Sequence, residues 1–207
     1  MDLARPYASV TPGLEGDVLD VLAGTTRPLS ARRVSTLVKR GAFNGVLKAL
    51  DRLVDQGIVR REEAGRAYLH TLNRDHLAAE AVESLASMRA ELLERLRVEL
   101  AGWDPAPVHA SLFGSAARGD GGTSSDVDLF LVRPEGVADD DSGWSDLREN
   151  LEARVTGWTG NRCSVSDVSC TELAALLRDP PPALQTLRGD AIKLAGTSLD
   201  ELSEAGS

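Results

Sequence analysis

Apolar residues at helical spacing divide the first third of the chain into amphipathic segments. One face of each segment collects the leucines and valines, as in helices that pack on a core. The predicted helices cover residues 14–22, 31–39 and 44–56. Ser30 is a typical N-cap for the second helix. Residues 58–61 and 66–72 then predict a β-hairpin with its turn at Ala64 and Gly65.

A single apolar stripe runs from Arg74 to Leu100, with an apolar residue every three or four positions. This periodicity predicts one long helix with Asn73 as its N-cap. Three arrangements stay open for this connecting segment of residues 73–103. The helix bridges two domains, pairs with its copy in a homodimer, or packs in its second half on the domain that follows.

Shorter apolar segments with strand or helix spacing follow Pro107. The predicted strands cover residues 108–113, 127–132, 162–169 and 191–194. The predicted helices are one turn at 116–118, a helix carrying Trp144, Leu147, Leu151 and Val155, and helices over 171–178 and 183–188. This mixture predicts an α+β domain over residues 104–207, in addition to an N-terminal domain over 1–72.

Length and composition are those of a folded protein without a membrane segment. The chain has 207 residues and 42% hydrophobic content, enough for one large domain or two small ones. No apolar run approaches the roughly 20 residues of a membrane span, and the N-terminus lacks the apolar core of a secretory signal. Two cysteines are too few for a zinc finger. We expect both to be reduced thiols in a cytoplasmic protein.

Charge is distributed unevenly along the chain. Residues 1–72 contain 11 basic and 8 acidic side chains, whereas residues 73–207 contain 12 and 24. A mildly basic front and an acidic remainder indicate two units with different partners.

The segment GSAARGDGGTSSDVDLFLV, which starts at Gly114, carries the clearest candidate chemistry. A Gly-Ser turn follows the first predicted strand, and Asp126 and Asp128 stand where the next strand begins. Residues spaced i, i+2 in a strand point to one face, so the two carboxylates can hold a divalent cation such as Mg²⁺. The backbone N–H groups of a Gly-Ser turn can bind phosphate oxygens. A metal pair beside a phosphate-binding turn is typical of nucleotidyl or phosphoryl transfer.

This segment resembles the signature of the DNA polymerase β-like nucleotidyltransferases, and most closely that of their small "minimal" members. The matching positions are Gly114, Ser115, Ala117, Arg118, Gly119, Ser125, Asp126, Asp128 and Leu129. The resemblance implies a mixed-sheet fold and transfer of a nucleotide from a nucleoside triphosphate, with ATP as the default donor. It also implies that Gly114, Ser115, Arg118 and Ser125 bind the nucleotide, and that Asp126 and Asp128 hold two Mg²⁺ ions.

The family also needs a third carboxylate on a later strand, which would bind metal and activate the acceptor hydroxyl. Asp167 is the only acid in the strand-like run 162–169, so it is the candidate for this catalytic and metal-binding position. Asp139, Asp140 and Asp141 compete with it, but acidic runs are usually solvated loops. Asp146 falls on the polar side of a predicted helix.

The three helices and hairpin of residues 1–72 resemble the winged helix-turn-helix of bacterial transcription regulators. That resemblance implies binding of double-stranded DNA, with the third helix in the major groove and the hairpin along the backbone. The candidate DNA contacts are Arg40, Asn44, Lys48, Arg52, Arg60 and Arg66. Asp51 and Asp55 would repel phosphate, so use of the same fold for protein contacts or dimerisation stays open.

The acceptor is not specified by any motif in the chain. Related minimal nucleotidyltransferases modify proteins or tRNA ends in toxin–antitoxin pairs, and others modify small molecules such as aminoglycosides. One alternative is a transcription regulator whose second domain only senses a nucleotide. Another is an antitoxin that is both enzymatic and DNA-binding, and so regulates its own promoter.

Overall fold

The chain divides after Arg89 into two units. The computed structural model describes residues 1–178 and 189–205. Residues Arg5–Arg89 form one unit, and Met1–Ala4 with Ala90–Ser207 form the other. The predicted helix 183–188 lies outside the described residues.

The unit Arg5–Arg89 combines helices with a small antiparallel sheet. Its elements are a 3-10 helix Pro6–Ser9, α1 Leu14–Ala23, β1 Leu29–Ser30, α2 Ala31–Val38, α3 Phe43–Asp55, β2 Val59–Ala64, β3 Ala67–Leu72 and α4 Ala79–Ala86. The strands form the order β1-β3-β2, and every pairing is antiparallel. The three helices and the hairpin predicted from periodicity are therefore confirmed, with the turn one residue later at Gly65 and Arg66.

The core of this unit consists of the apolar positions that set the helical period. Val18, Val34, Val46 and Leu50 are fully buried in one cluster that includes residues from α1, α2 and α3. Ser30 begins α2 as predicted, because its hydroxyl accepts a hydrogen bond from the backbone N–H of Arg33 at 3.3 Å.

The prediction of one continuous helix over 74–100 was wrong. The chain forms α4 and then α5, which covers Met88–Ala101, with a turn at Ser87 between them. The Ser84 and Ser87 hydroxyls donate to the carbonyls of Glu80 and Ser84, and such back-bonding competes with regular helix. Asn73 does not cap a helix, because its side chain accepts from the N–H of Asp75 within a turn.

The second unit is built on a mixed four-stranded sheet. After α5 come β4 His109–Phe113, α6 Gly114–Arg118, β5 Val127–Val132, α7 Ser142–Thr159, β6 Cys163–Val168, α8 Cys170–Arg178, β7 Ile192–Gly196 and α9 Leu199–Ala205. The strand order is β6-β5-β4-β7. β4 is antiparallel to β5 and β7, whereas β5 and β6 are parallel. The predicted α+β class and mixed sheet are confirmed.

Each face of this sheet packs on a separate apolar cluster. Leu129 and Leu131 of β5 belong to a cluster with residues of α5 and α7. Phe130 and Val132 alternate with them and belong to a cluster with residues of α8 and α9. Because side chains alternate along a strand, Asp128 shares the face of Phe130 and Val132.

The two cysteines are free and differ in environment. Cys163 is buried in β6, and burial above all raises the pKa of its thiol to about 12. Cys170 begins α8 and is exposed. No helix in the described ranges is long and apolar enough to cross a membrane.

Candidate active site

The turn at Gly114 lies next to the carboxylate of Asp128. Gly114 has a φ of +69°, in the left-handed region that favours glycine. A Cβ atom at this position would lie 2.8 Å from Oδ2 of Asp128. The chain therefore needs glycine here for two reasons, and the predicted phosphate-binding turn does adjoin a predicted metal ligand.

The loop between α6 and β5 is held closed by its own polar groups. Gly119 ends α6 with a φ of +74°, and its N–H donates to the carbonyl of Ser115 at 3.0 Å. The Ser125 hydroxyl accepts from the N–H of Gly122 at 2.9 Å. Ser125 therefore lies in this loop, and its hydroxyl oxygen helps to hold the loop in shape.

Asn161 anchors this loop and was missed by the sequence reasoning. Its side-chain amide donates to the carbonyls of Ser125 at 2.8 Å and Gly122 at 3.4 Å, and the residue is 2% exposed. Asn161 follows α7, so it is distant in sequence from the loop that it holds. No spacing pattern in the chain indicates such a contact.

Asp126 and Asp128 form the candidate metal site. Asp128 lies in β5 and pairs with Phe113 of β4, while Asp126 immediately precedes the strand. Both residues are half-buried. Burial first, and then the negative charge of Asp126, raise the pKa of Asp128. Two neighbouring carboxylates at the mouth of a turn fit a hard divalent cation such as Mg²⁺.

Arg118 lies beside the turn but is paired with acids. Its guanidinium donates to Asp120 at 3.1 Å and lies 3.5 Å from Asp190. The side chain is 41% exposed, so it stays accessible to solvent. A phosphate that reached Arg118 would compete with these two carboxylates.

The structure does not bring Asp167 to Asp126 and Asp128. In the parallel pairing of β5 and β6, Asp128 pairs with Ser164 and Asp167 pairs with Leu131. Three residues along a strand correspond to about 10 Å and to the opposite face of the sheet. The prediction that Asp167 completes the metal site is therefore wrong in its geometry.

Asp167 instead belongs to a buried ion-pair network. Its carboxylate accepts from Arg133 at 2.6 Å, from the indole N–H of Trp144 at 2.9 Å, and from Arg148. The side chains of Asp167 and Arg133 are each 3% exposed. Burial alone would raise the pKa of Asp167, but the hydrogen bonds from these three donors together hold it below its usual value.

The competing acids also have structural partners. Asp139 pairs with Arg133 at 2.9 Å. Asp141 caps α7, where it accepts from the backbone N–H of Trp144 at 2.8 Å. Neither belongs to a group that could hold a metal, since no cluster of three or more potential ligands occurs among the described residues.

A small polar cavity lies on the same sheet face, near β7. It has a volume of about 110 Å³ and is lined in part by His109, Ser111 and Lys193. The His109 ring bonds the carbonyl of Thr197 at 2.7 Å through Nδ1 and the hydroxyl of Ser111 at 3.0 Å through Nε2. Because a carbonyl only accepts, Nδ1 carries a proton and donates it to Thr197. Burial lowers the pKa of His109.

The candidate DNA contacts in the first unit fall into two groups. Arg40 pairs with Asp17, Arg52 donates to Glu15 at 2.6 Å, and Arg60 pairs with Asp75 at 2.5 Å. Asn44, Lys48 and Arg66 are exposed. Three of the five cationic candidates, Arg40, Arg52 and Arg60, are therefore partly neutralised by acids of the same unit.

Comparison with protein families agrees with the motif. Residues 80–157 match the family model of the nucleotidyltransferase domain. The nucleotidyltransferase match contains Gly114, Asp126 and Asp128 and ends within α7, so β6 with Ser164 and Asp167 lies beyond it. The prediction of a nucleotidyltransferase domain is confirmed for residues 80–157. No curated protein matches the chain.

Two solved structures are distantly similar to the present chain. A toxin-antitoxin crystallised with AMP-PNP is 17% identical, with 56% of this chain and 82% of that chain covered and a TM-score of 0.35. A mutant of the toxin-antitoxin MntA-HpeT is 15% identical, with coverage of 57% and 82% and a TM-score of 0.35. Likenesses at this level carry no argument about the present chain.

Proposed function

We propose that the second unit is a nucleotidyltransferase that binds a nucleoside triphosphate with Mg²⁺ and transfers the nucleotide to a hydroxyl acceptor. The observation that carries this proposal is the contact between the Gly114 turn and Asp128. A Cβ at Gly114 would lie 2.8 Å from the Asp128 carboxylate, so the phosphate-binding turn and the metal ligand adjoin each other. The match of residues 80–157 to the nucleotidyltransferase domain supports the same assignment.

Each residue of the candidate site has a proposed role in binding phosphate or metal. Ser115 and the backbone at Gly114 bind the β- and γ-phosphates, with Arg118 exchanging its carboxylate partners for a phosphate. Ser125, through its bond to the N–H of Gly122, keeps the loop in shape beside the carboxylates. Asp126 and Asp128 hold Mg²⁺, which when bound neutralises phosphate charge and supports displacement at the α-phosphorus.

The acceptor is proposed as a hydroxyl on a protein, a tRNA end or a small molecule, and ATP is the default donor. We would incubate the protein with α-labelled ATP and Mg²⁺, and add in turn cell-extract protein, total tRNA and an aminoglycoside. Label is expected in one of these acceptors with the intact protein, and it is expected to vanish with Asp126→Asn plus Asp128→Asn. These substitutions keep the side-chain volume but remove the charges that attract the cation.

A matched control tests whether loss of transfer is specific to Asp126 and Asp128 or follows from the loss of any acidic side chain. Asp140→Asn removes one exposed acid from the loop before α7 and is expected to leave transfer unchanged. Transfer that persists in the double variant of Asp126 and Asp128 would contradict the proposed function.

We further propose that the first unit is a winged helix-turn-helix that binds double-stranded DNA. Its support is the order of α1, α2 and α3 followed by the antiparallel hairpin β2-β3. Asn44 and Lys48 are exposed on α3, and Arg66 is exposed at the tip of the hairpin. In this fold the third helix reads the major groove and the hairpin contacts phosphates. Binding to its own promoter would make the protein autoregulatory, as in a toxin–antitoxin pair.

Fluorescence anisotropy with the protein's own promoter tests DNA binding. Asn44→Ala, Lys48→Ala and Arg66→Ala combined are expected to weaken binding by at least about 10-fold and to reduce its salt dependence. Arg52→Ala is the matched control, because Arg52 already pairs with Glu15 and its loss should change affinity little. Equal affinity of all three proteins would favour the alternative surface for protein contacts or a homodimer.

A further inference from the structure

Ser164 stands next to Asp128 in the sheet. The parallel register of β5 and β6 pairs Val127 with Cys163, Asp128 with Ser164 and Phe130 with Ser166. Paired residues of neighbouring strands point to the same face, so Ser164 shares the face and the level of Asp128. Within β6, it is the position from which a side chain would reach the Asp126 and Asp128 pair.

No other described acid takes this place. Asp167 lies on the opposite face with Arg133 and Arg148. Asp190 lies by the Gly114 turn on the β7 side, where it pairs with Arg118 at 3.5 Å. Glu152 reaches the outer edge of β6 and accepts from the backbone N–H of Val165 at 2.8 Å. Within the described ranges, the candidate metal site therefore has two carboxylates and a serine.

Nor does the histidine on this face adjoin the carboxylates. His109 and Ser111 precede Phe113 on β4, and Phe113 is the residue that pairs with Asp128. His109 is 2% exposed, and both of its ring nitrogens are occupied by Thr197 and Ser111. A base must come within hydrogen-bond reach of the proton that it removes. His109 faces the cavity beside Lys193 instead.

We propose that Ser164 limits this site to one tightly held metal ion and leaves removal of the acceptor's proton without a base among the residues that the structure describes. The inference rests on the proposed function. In the reaction the acceptor oxygen forms a bond to the α-phosphorus, the bond from the α-phosphorus to the bridging oxygen breaks, and pyrophosphate leaves. The acceptor's proton passes to solvent. The transfer step is then slow, because no positioned base assists it.

The decisive variant is Ser164→Asp, which places a third carboxylate beside Asp128. Electron paramagnetic resonance of Mn²⁺, titrated in the presence of a non-hydrolysable ATP analogue, counts the ions bound. We expect one ion per chain in the natural protein and two in Ser164→Asp. Transfer from α-labelled ATP is expected to rise by about 10²-fold in the variant, the lower end of the usual gain from a positioned base.

Two matched controls define the position. Ser166→Asp puts the same carboxylate two residues further along the same face, beside Phe130, and should gain neither an ion nor rate. Ser164→Asn has nearly the same shape as Ser164→Asp but carries no charge, and should also gain no rate. Thermal melting of each variant shows whether the fold is kept.

Several results would overturn the inference. Two Mn²⁺ ions bound by the natural protein would do so whether or not any variant folds. A folded Ser164→Asp that gains neither an ion nor rate would do so too, as would a transfer rate of the natural protein that falls at least 10-fold in His109→Gln. Failure of the proposed function looks different: the natural protein would then bind no nucleotide or Mn²⁺ in a manner that depends on Asp126 and Asp128.

Discussion

Replacing Asp167 with alanine is expected to lower the free energy of unfolding by about 3–5 kcal/mol. The change removes the shared acceptor of Arg133, Arg148 and Trp144, and Arg133 is 3% exposed. Arg133 then keeps its desolvation cost and its exposed partners Asp139 and Glu172, but loses the one buried carboxylate that offsets that cost. Urea denaturation followed by tryptophan fluorescence measures the loss, and Trp144 is itself part of the network.

The pH dependence of that loss has a definite sign. The folded-state pKa of Asp167 lies below its ordinary value, so its ionised form is favoured by folding. Its contribution is full above an unfolded-state pKa of about 4 and is lost as the pH falls through the lower folded value. The stability difference between the natural protein and Asp167→Ala should therefore shrink in strongly acidic buffer.

The neighbouring Glu172 provides the control. It bonds the same Arg133 at 3.1 Å, but its side chain is 59% exposed. Glu172→Gln should therefore cost less than about 1 kcal/mol, as for most exposed pairs. If Asp167→Ala were as stable as Glu172→Gln and instead lost bound Mn²⁺, the network would not be the role of Asp167.

Gly114→Ala is expected to reduce nucleotidyl transfer by about 10²-fold, because a displacement of about 1 Å at a reacting centre can have that effect. The new Cβ would lie 2.8 Å from Oδ2 of Asp128, which real Cβ atoms do not tolerate. Either the carboxylate or the turn has to move, and both belong to the proposed site. Rates with α-labelled ATP, together with Mn²⁺ affinity, measure the effect.

Gly136→Ala is a matched control for backbone strain. Gly136 also has a positive φ, of +87°, but a Cβ there would meet nothing within 4 Å. Both variants carry the cost of a left-handed alanine, about 1–2 kcal/mol. Equal loss of activity in the two would mean that strain, and not the contact with Asp128, is responsible.

The helices, the hairpin and most strand positions were predictable because they depend on local period. Val127–Val132 occurs as predicted, since its apolar run is buried and its ends are marked by Ser125 and Pro134. The break at Ser87 was not predictable from the apolar stripe, which continues through it. Serine back-bonding changes the backbone without interrupting the hydrophobic period.

The error on Asp167 came from register rather than from secondary structure. The strand itself was found, and its alternation groups Cys163, Val165 and Asp167 on one face. Nothing local says which face meets Asp128, because a shift of one residue exchanges the two faces. Arg133 and Arg148 lie 34 and 19 residues from Asp167, and such long-range ion pairs leave no periodic signal.

The same limit applied to the predicted DNA contacts. Glu15 and Arg52 are 37 residues apart, and Asp75 and Arg60 are 15 apart. Each of these arginines counted as free positive charge when the sequence was considered alone. Exposed charge can be estimated from spacing on a helix, but its neutralisation depends on which helices meet.

Because one cysteine is buried and the other is exposed, the natural protein can be labelled at a single site without mutagenesis. A thiol whose pKa is about 12 and which is buried, as at Cys163, reacts with maleimides far more slowly than an exposed one. A spin or fluorescent label should therefore go to Cys170 alone. Because Cys170 begins α8, which covers the sheet face of Asp128, its signal would report directly whether that helix moves when a nucleotide arrives.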